Sequence, residues 1–462
     1  MAVTAARTLE PAPDIPIAAA DTLRACLWVA IGSCIRGHLL FLLGLPVVLA
    51  GFAVAWRVMW RVGSEHTSSI VDRQIVDRRV PWLPSACLWL AVMAFVGLVA
   101  PSTIGPLWYD IAKRVYFLLG LAAVGVFRYG PARHTRRAVT GVIVAGTSLH
   151  LVTLFAVPEP NIDVWIWTQS CIQALLRGVH PYTVDATDLI TNVYRLGSTA
   201  TLYPYMPLTL VAFAPSYVLF GDYRVLSALC VPATVVLNRA TGRQLGLDSR
   251  LIDATTLAFL LFPRGTWLTC FGWTEPLLVV VLSGFVYLAT RAPGGAAQAI
   301  AFLLLPALKQ YTVAPVLLFL AISRPRTSVV AVAVTVAAAT VVPFLIWDWQ
   351  STIEGIVVQI VSPAQPRLDS TSLVALVGLS TGLYVTRWVS VVVQFLVAGM
   401  AYARLRDRGL GGLLLASSLA LYATFLTGWQ AFMNYYYLVG EMLLLAAIVL
   451  AAARPSEAAA AA

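Results

Sequence analysis

An all-α bundle of membrane-spanning helices is the fold this sequence predicts, and three observations predict it. Of the 462 residues 60% are hydrophobic and only 11% are charged, more apolar surface than a soluble fold covers. Apolar runs of roughly 20 residues, the length that crosses a bilayer, recur along the chain. The arginines behind the net charge of +10 cluster in short segments between those runs. That is the positive-inside pattern of a membrane protein, not a nucleic-acid surface. The expected count is about 11–13 spans, on the length rule for helices in lipid.

In order, residues 1–21 are Ala/Pro-rich with the single basic residue Arg7, and read as a cytoplasmic tail without a cleavable signal. The transmembrane body is 22–453. In 22–60 an apolar region is broken by Arg36, Gly37 and His38; the part from Leu39 to Trp56 spans and the part before it lies at the interface. A charged loop follows at 61–81, then spans near 82–101 and 107–127. The segment RYGPARHTRR (128–137) carries four arginines and reads as cytoplasmic, so that 138–157 runs outward. Further spans lie near 206–220, 225–238, 251–268, 275–290, 296–322, 328–347, 371–386, 388–403, 412–427 and 435–453, and 454–462 is a tail. If both 206–220 and 225–238 cross, Arg239, Arg243 and Arg250 land outside, against the charge rule; a re-entrant first segment is the alternative.

The longest polar interruption, 158–207, is the expected external loop. It holds Glu159, Asp163, Asp185 and Asp188 among many aromatic and aliphatic residues, too apolar for a disordered linker. Val164, Trp165, Ile172, Leu175 and Leu176 recur at helical spacing, and Gly178 and Pro181 stop the pattern. A short amphipathic helix along the membrane surface, its tryptophans at headgroup depth, is the expectation. Asp163 serves either as a cap, with Asn161 the other candidate, or as a general base at the water boundary.

Four other places carry chemistry-bearing residues. In GWTEPLL, Glu275 opens an apolar run, as a helix-start acid or as a site acid. In LLLPALKQYTVAP, Lys309 and Gln310 lie mid-run between Pro306 and Pro315, where an ionisable side chain marks a functional site unless it reaches an interface. The two prolines, with Arg291 and Arg324 outside them, predict a hairpin of half-helices. Arg367, in the loop 348–372, offers a planar fork for phosphate or pairs with Asp369. The aromatic run Tyr435 to Tyr437 reads as an interfacial belt that also suits a sugar or lipid site. Six cysteines and five histidines show no metal-ligand spacing.

The stretch DVWIWTQSCIQALLRGVHPYTV, followed by LYPYMPLTLVAFAPSYVLFGDYR, resembles the start of integral-membrane glycosyltransferases of the GT-C superfamily. Bacterial polyprenyl-phosphate-dependent mannosyltransferase-like proteins are the nearest likeness. GWTEPLL and LKQYTVAP are similar to recurring pieces of such chains, and the resemblance covers roughly 140–440. The chain departs from the pattern in its extra spans before the loop and in lacking two adjacent acids there. The resemblance implies a hexosyltransferase of the bacterial plasma membrane, GT-C-like in fold. It would move a mannose-like sugar from a polyprenyl-phosphate donor to a lipid or glycan acceptor at the outer face, with inversion. Asp163 then takes the position of the base. Lys309, Arg367 or Arg264 would face the donor phosphate, and Glu159, Glu275, Gln310 and Tyr205 the acceptor or sugar. A second acid, Glu159 or Glu275, would orient the acceptor or help hold a divalent cation, though nothing in the sequence demands a metal. Membrane lipids are the remaining partner. A transporter or lipid flippase, and a non-catalytic membrane partner, are the open alternatives.

Overall fold

Apolar runs fold as helices because, in lipid, a helix satisfies its backbone within one segment. A computed structural model describes residues 17–34, 41–64, 105–160, 162–185, 202–262, 265–359, 367 and 370–452, and among them helices occur without strands. The main ones are α1 (Ile17–Cys34), α2 (Phe41–Ser64), α3 (Leu107–Tyr129), α4 (Ala132–Ala156), α5 (Asp163–Leu176), α6 (Pro207–Phe220), α7 (Arg224–Gln244) and α8 (Ser249–Leu260). They continue as α9 (Glu275–Arg291), α10 (Ala296–Leu303), α11 (Val313–Ser323), α12 (Thr327–Trp347), α13 (Leu373–Thr381), α14 (Trp388–Leu405), α15 (Gly409–Leu426) and α16 (Met433–Ala452). Among the described residues seven helices are long and apolar enough to cross a membrane, so the chain is a polytopic helical bundle. The expected span 82–101, most of the loop 61–81 and the tail 454–462 lie outside the described residues. The interfacial segment expected before Leu39 is instead helix α1, which starts inside the stretch read as a tail and packs along α2 and α16.

Contacts at the helix ends divide the bundle into a basic end and an opposite end. Asp21 on α1 accepts from Arg61 on α2 at 2.7 Å, and Arg404 at the end of α14 stacks on Trp60 of α2 at 3.7 Å. Arg133 and Arg136, opening α4, share a cleft with Arg239 and Arg243 of α7 and Arg250 of α8. These contacts all fall at one end. At the other end Arg224, the first residue of α7, donates to the Val157 carbonyl just past α4, at 2.8 Å. The end of α4 and the start of α7 therefore meet, and α6 between them does not carry the chain across. Arg239, Arg243 and Arg250 thus return to the side of Arg133, which removes the conflict with the charge rule.

Two more expected spans fail to cross. The N–H of Thr371 donates to the Ala431 carbonyl and Trp429 Nε1 donates to the Val385 carbonyl, so α13, with nine residues, starts and ends beside one loop. The 296–322 run is the half-helix hairpin. Helix α10 leads through a short turn, Leu305–Leu308, to an extended Lys309, and α11 turns back from it. Phe302 and Phe319, on the two arms, stack at 5.0 Å and both pack on Phe285 of α9.

Helices α15 and α16 form the centre, 83% and 72% buried, whereas α12 is 11% buried and leaves most of its apolar side chains exposed. The residues Gly411, Gly412, Ala416, Ser417, Ser418 and Ala420 let neighbours approach α15 closely, as small residues do between helices in lipid. Tyr436 and Tyr437 are core residues here, on Tyr422 and on Phe259 and Phe262, and not an interfacial belt.

Candidate functional site

The site lies at the end opposite the arginine cleft and is built from six segments. Helix α5 begins at Asp163 with Ile162 in the cap position, and the Asp163 carboxylate accepts the Val164 N–H at 2.8 Å. The acid stands in the first turn of the helix, where a negative side chain interacts favourably with the helix dipole. The helix stops where its sequence stops it: Gly178 takes φ +72°, and Val179 and Gly178 donate back to the Ala174 and Leu175 carbonyls. Ile166, Trp167, Cys171 and Ile172, on one face of the helix, pack on Tyr182, Tyr203, Phe213 and Tyr223 in a core of their own.

Gly272, at φ +65°, turns the chain toward Thr274 and Glu275, and its carbonyl is anchored by Tyr223 Oη at 2.7 Å. Glu275, at the first turn of α9, is fully buried. The break at the hairpin tip puts Lys309 against it: Lys309 Nζ is 2.6 Å from Glu275 Oε1 and 2.8 Å from Thr274 Oγ1. Tyr205, Tyr435 and Tyr311 turn their ring faces to the ammonium at 4.7, 5.4 and 5.6 Å, and Tyr311 Oη donates to Glu275 Oε1 at 3.1 Å. Glu275 Oε2 is buried and has no hydrogen-bond partner among the described residues.

Tyr205 and Tyr435 tie Asp163 to this group. Desolvation first, then the neighbouring Tyr435, Asp163 and Glu275, push the Tyr205 hydroxyl well above the usual phenol range. Tyr435 lies within electrostatic range of Glu275, Asp163 and Arg367. Arg367 is buried, donates its N–H to the Trp429 carbonyl, and stacks on Phe432 at 4.9 Å. Asp163 and Glu275 thus act on both tyrosines, Lys309 faces both rings, and Arg367 acts on Tyr435.

The remaining expected residues fall elsewhere. Gln310 donates to the Pro204 and Ile356 carbonyls at 3.1 and 3.3 Å, stitching the hairpin tip to the loops over it. Glu159 is exposed in the turn after α4, and Arg264, Asn161, Asp188 and Asp369 lie outside the described residues. Among the described residues no three His, Cys, Asp or Glu side chains converge as a metal site.

Three residues escape a reading by motif. Arg224 is fully buried, with Asp222 at 2.6 Å and the carbonyls of Val157, Pro158 and Cys270 each at 2.8 Å. It clamps the ends of three segments beneath the site; the acid two residues before it in GDYR is the local signal. Tyr311 and Glu441 stand inside apolar runs. Glu441 accepts from Asn238 at 2.7 Å and Ser283 at 3.0 Å, joining α16 to α7 and α9 in the centre.

Comparison of the chain with protein-family models, with curated proteins and with solved structures gives no match.

Proposed function

We propose that the chain is a membrane glycosyltransferase acting on a polyprenyl-phosphate sugar donor at the face opposite the arginine end. The observation that carries this reading is the grouping of Asp163, Glu275 and Lys309 about Tyr205 and Tyr435, with Arg367 acting on Tyr435, among helices long enough to bury a lipid tail. The positive-inside rule makes the arginine end cytoplasmic and the site end external, in a bacterial plasma membrane.

In this reading the acceptor hydroxyl attacks the anomeric carbon while its proton passes to the Asp163 carboxylate. The bond from that carbon to the phosphate oxygen breaks, and its electron pair leaves with the polyprenyl phosphate. Arg367 faces the phosphate. Lys309, 2.6 Å from Glu275, acts on it only as half of an ion pair; its nearer task is to hold the Glu275 carboxylate in place. Glu275 Oε2, left without a partner, accepts a hydroxyl of the sugar or acceptor. The acceptor is a lipid or glycan, and the sugar mannose-like.

The test is sugar transfer from a polyprenyl-phosphate donor in membranes with protein level controlled. Asp163→Asn keeps size and an oxygen to accept the Val164 N–H, so insertion should persist while transfer falls at least about a hundredfold, near 2.7 kcal/mol of barrier. Asp185→Asn, on the exposed far side of the loop, should lose far less. Transfer at the wild-type rate by Asp163→Asn would return that acid to a helix-start role. The hairpin of half-helices also suits a carrier; solute uptake by proteoliposomes that survives Asp163→Asn favours that reading. A wild-type protein with neither activity is a non-catalytic partner.

A further inference from the structure

At the basic end a cleft of about 370 Å³ opens between the first turn of α4, the last turns of α7 and the first turn of α8. Arg133, Arg136, Arg239, Arg243 and Arg250 line it, with Thr135 and Ser249. Among the described residues of its wall the acid is Asp253, and Arg239 holds it at 2.8 Å while also donating to Thr256 at 3.1 Å. Among the described residues no carboxylate pairs with the other four guanidinium groups. Arg250 Nε is buried and donates to no acceptor among the described residues. Helix α4 enters the cleft with no side-chain cap and no acid in its first turn, so its dipole adds positive potential. The charge rule accounts for arginines in the loops of this end. It does not account for their convergence on one cavity, nor for a buried guanidinium N–H aimed at nothing.

We propose that this cleft binds a phosphate-bearing anion, in the first place the headgroup of an anionic membrane lipid. Guanidinium forks match phosphate oxygens two at a time, which an ammonium does not. The volume is that of a small-molecule pocket and exceeds a single oxyanion. Its place between helix ends at the water boundary is where basic pockets take lipid phosphates. Nothing in this assignment depends on sugar transfer.

The experiment uses the full chain, purified and delipidated in an uncharged detergent, and follows thermal unfolding against added ligand. Phosphatidylglycerol should raise the unfolding midpoint, and phosphatidylcholine with the same acyl chains should not. Arg136→Gln/Arg243→Gln/Arg250→Gln should shift half-saturation by phosphatidylglycerol on the order of a hundredfold upward. Arg291→Gln/Arg324→Gln/Arg326→Gln removes as many charges from the same end outside the cleft and should respond like the wild type. Sodium pyrophosphate that stabilises as well as the lipid, and loses its effect in the cleft variant alone, assigns the cleft to a soluble phosphate. Equal loss in both triple variants, or an equal response to phosphatidylcholine, overturns the proposal. If the cleft triple fails to fold, Arg250→Lys, which keeps the charge and removes the fork, should still weaken the response several-fold; an unchanged response then overturns it.

Discussion

The two ends of the bundle treat positive charge in opposite ways. At the site end Lys309 and Arg224 are buried, and each has its carboxylate, Glu275 at 2.6 Å and Asp222 at 2.6 Å, plus further acceptors. At the basic end five arginines line one cleft, and among the described residues Arg239 alone of the five has a carboxylate, Asp253 at 2.8 Å. A cation removed from water is tolerated only with a complete set of partners, so the site end is rigid and specified. A cation at the water's edge keeps its hydration and needs none, so the basic end stays available to an anion. The same residue type is structural in one place and receptive in the other.

The largest effect that tests this contrast is all-or-none. In a cysteine-free background, Thr183→Cys should react with an impermeant thiol reagent in intact cells, while His134→Cys and Gln244→Cys should react only after permeabilisation. Opposite behaviour at 134 and 244 would place a crossing in α6 and break the division into ends.

Next comes the buried pair. Lys309→Met strands the Glu275 carboxylate and should destabilise the protein by about 3–5 kcal/mol in detergent unfolding, whereas Lys309→Met/Glu275→Leu should recover most of that loss. Equal destabilisation of the single and double variants would mean that the two charges are not coupled.

Smaller still is the matching experiment at the other end. Arg243→Gln/Arg250→Gln, in delipidated protein, should leave stability within about 0.5 kcal/mol of the wild type, because no protein partner is stranded. A loss as large as that of Lys309→Met would show the arginines to be structural and dissolve the comparison.

The smallest effect is at Asp348, past the end of α12. Its carboxylate accepts from the Ser351 hydroxyl at 2.6 Å and the Ser351 N–H at 3.1 Å, which hold it below the usual carboxylate range. A lowered folded value means a contribution present above about pH 3.9 and lost as pH falls through the folded value. The gap in unfolding midpoint between wild type and Asp348→Asn should therefore close between pH 5 and acid. A gap that widens on acidification contradicts the sign.

By itself the sequence determined which segments are helices and where they break. Apolar period and length are local properties, as are the stop at Gly178 and the pair Pro306 and Pro315 around Lys309, and the structure carries each of them. Arg133 and Arg136 likewise marked one side of the membrane by the charge rule, whereas the side of Arg239, Arg243 and Arg250 stayed open until the contact of Arg224 with Val157 fixed it. Tertiary structure alone decided which segments cross, for α6 and α13 are apolar enough to be read as spans and are returned to one end by contacts of Arg224, Thr371 and Trp429. It alone chose the partners too. Lys309 meets a carboxylate 34 residues away, Arg224 a carbonyl 67 residues away and Glu441 an amide 203 residues away. A buried charge takes whatever acceptor the packing of distant helices brings within about 3 Å. No periodicity along the chain encodes that distance.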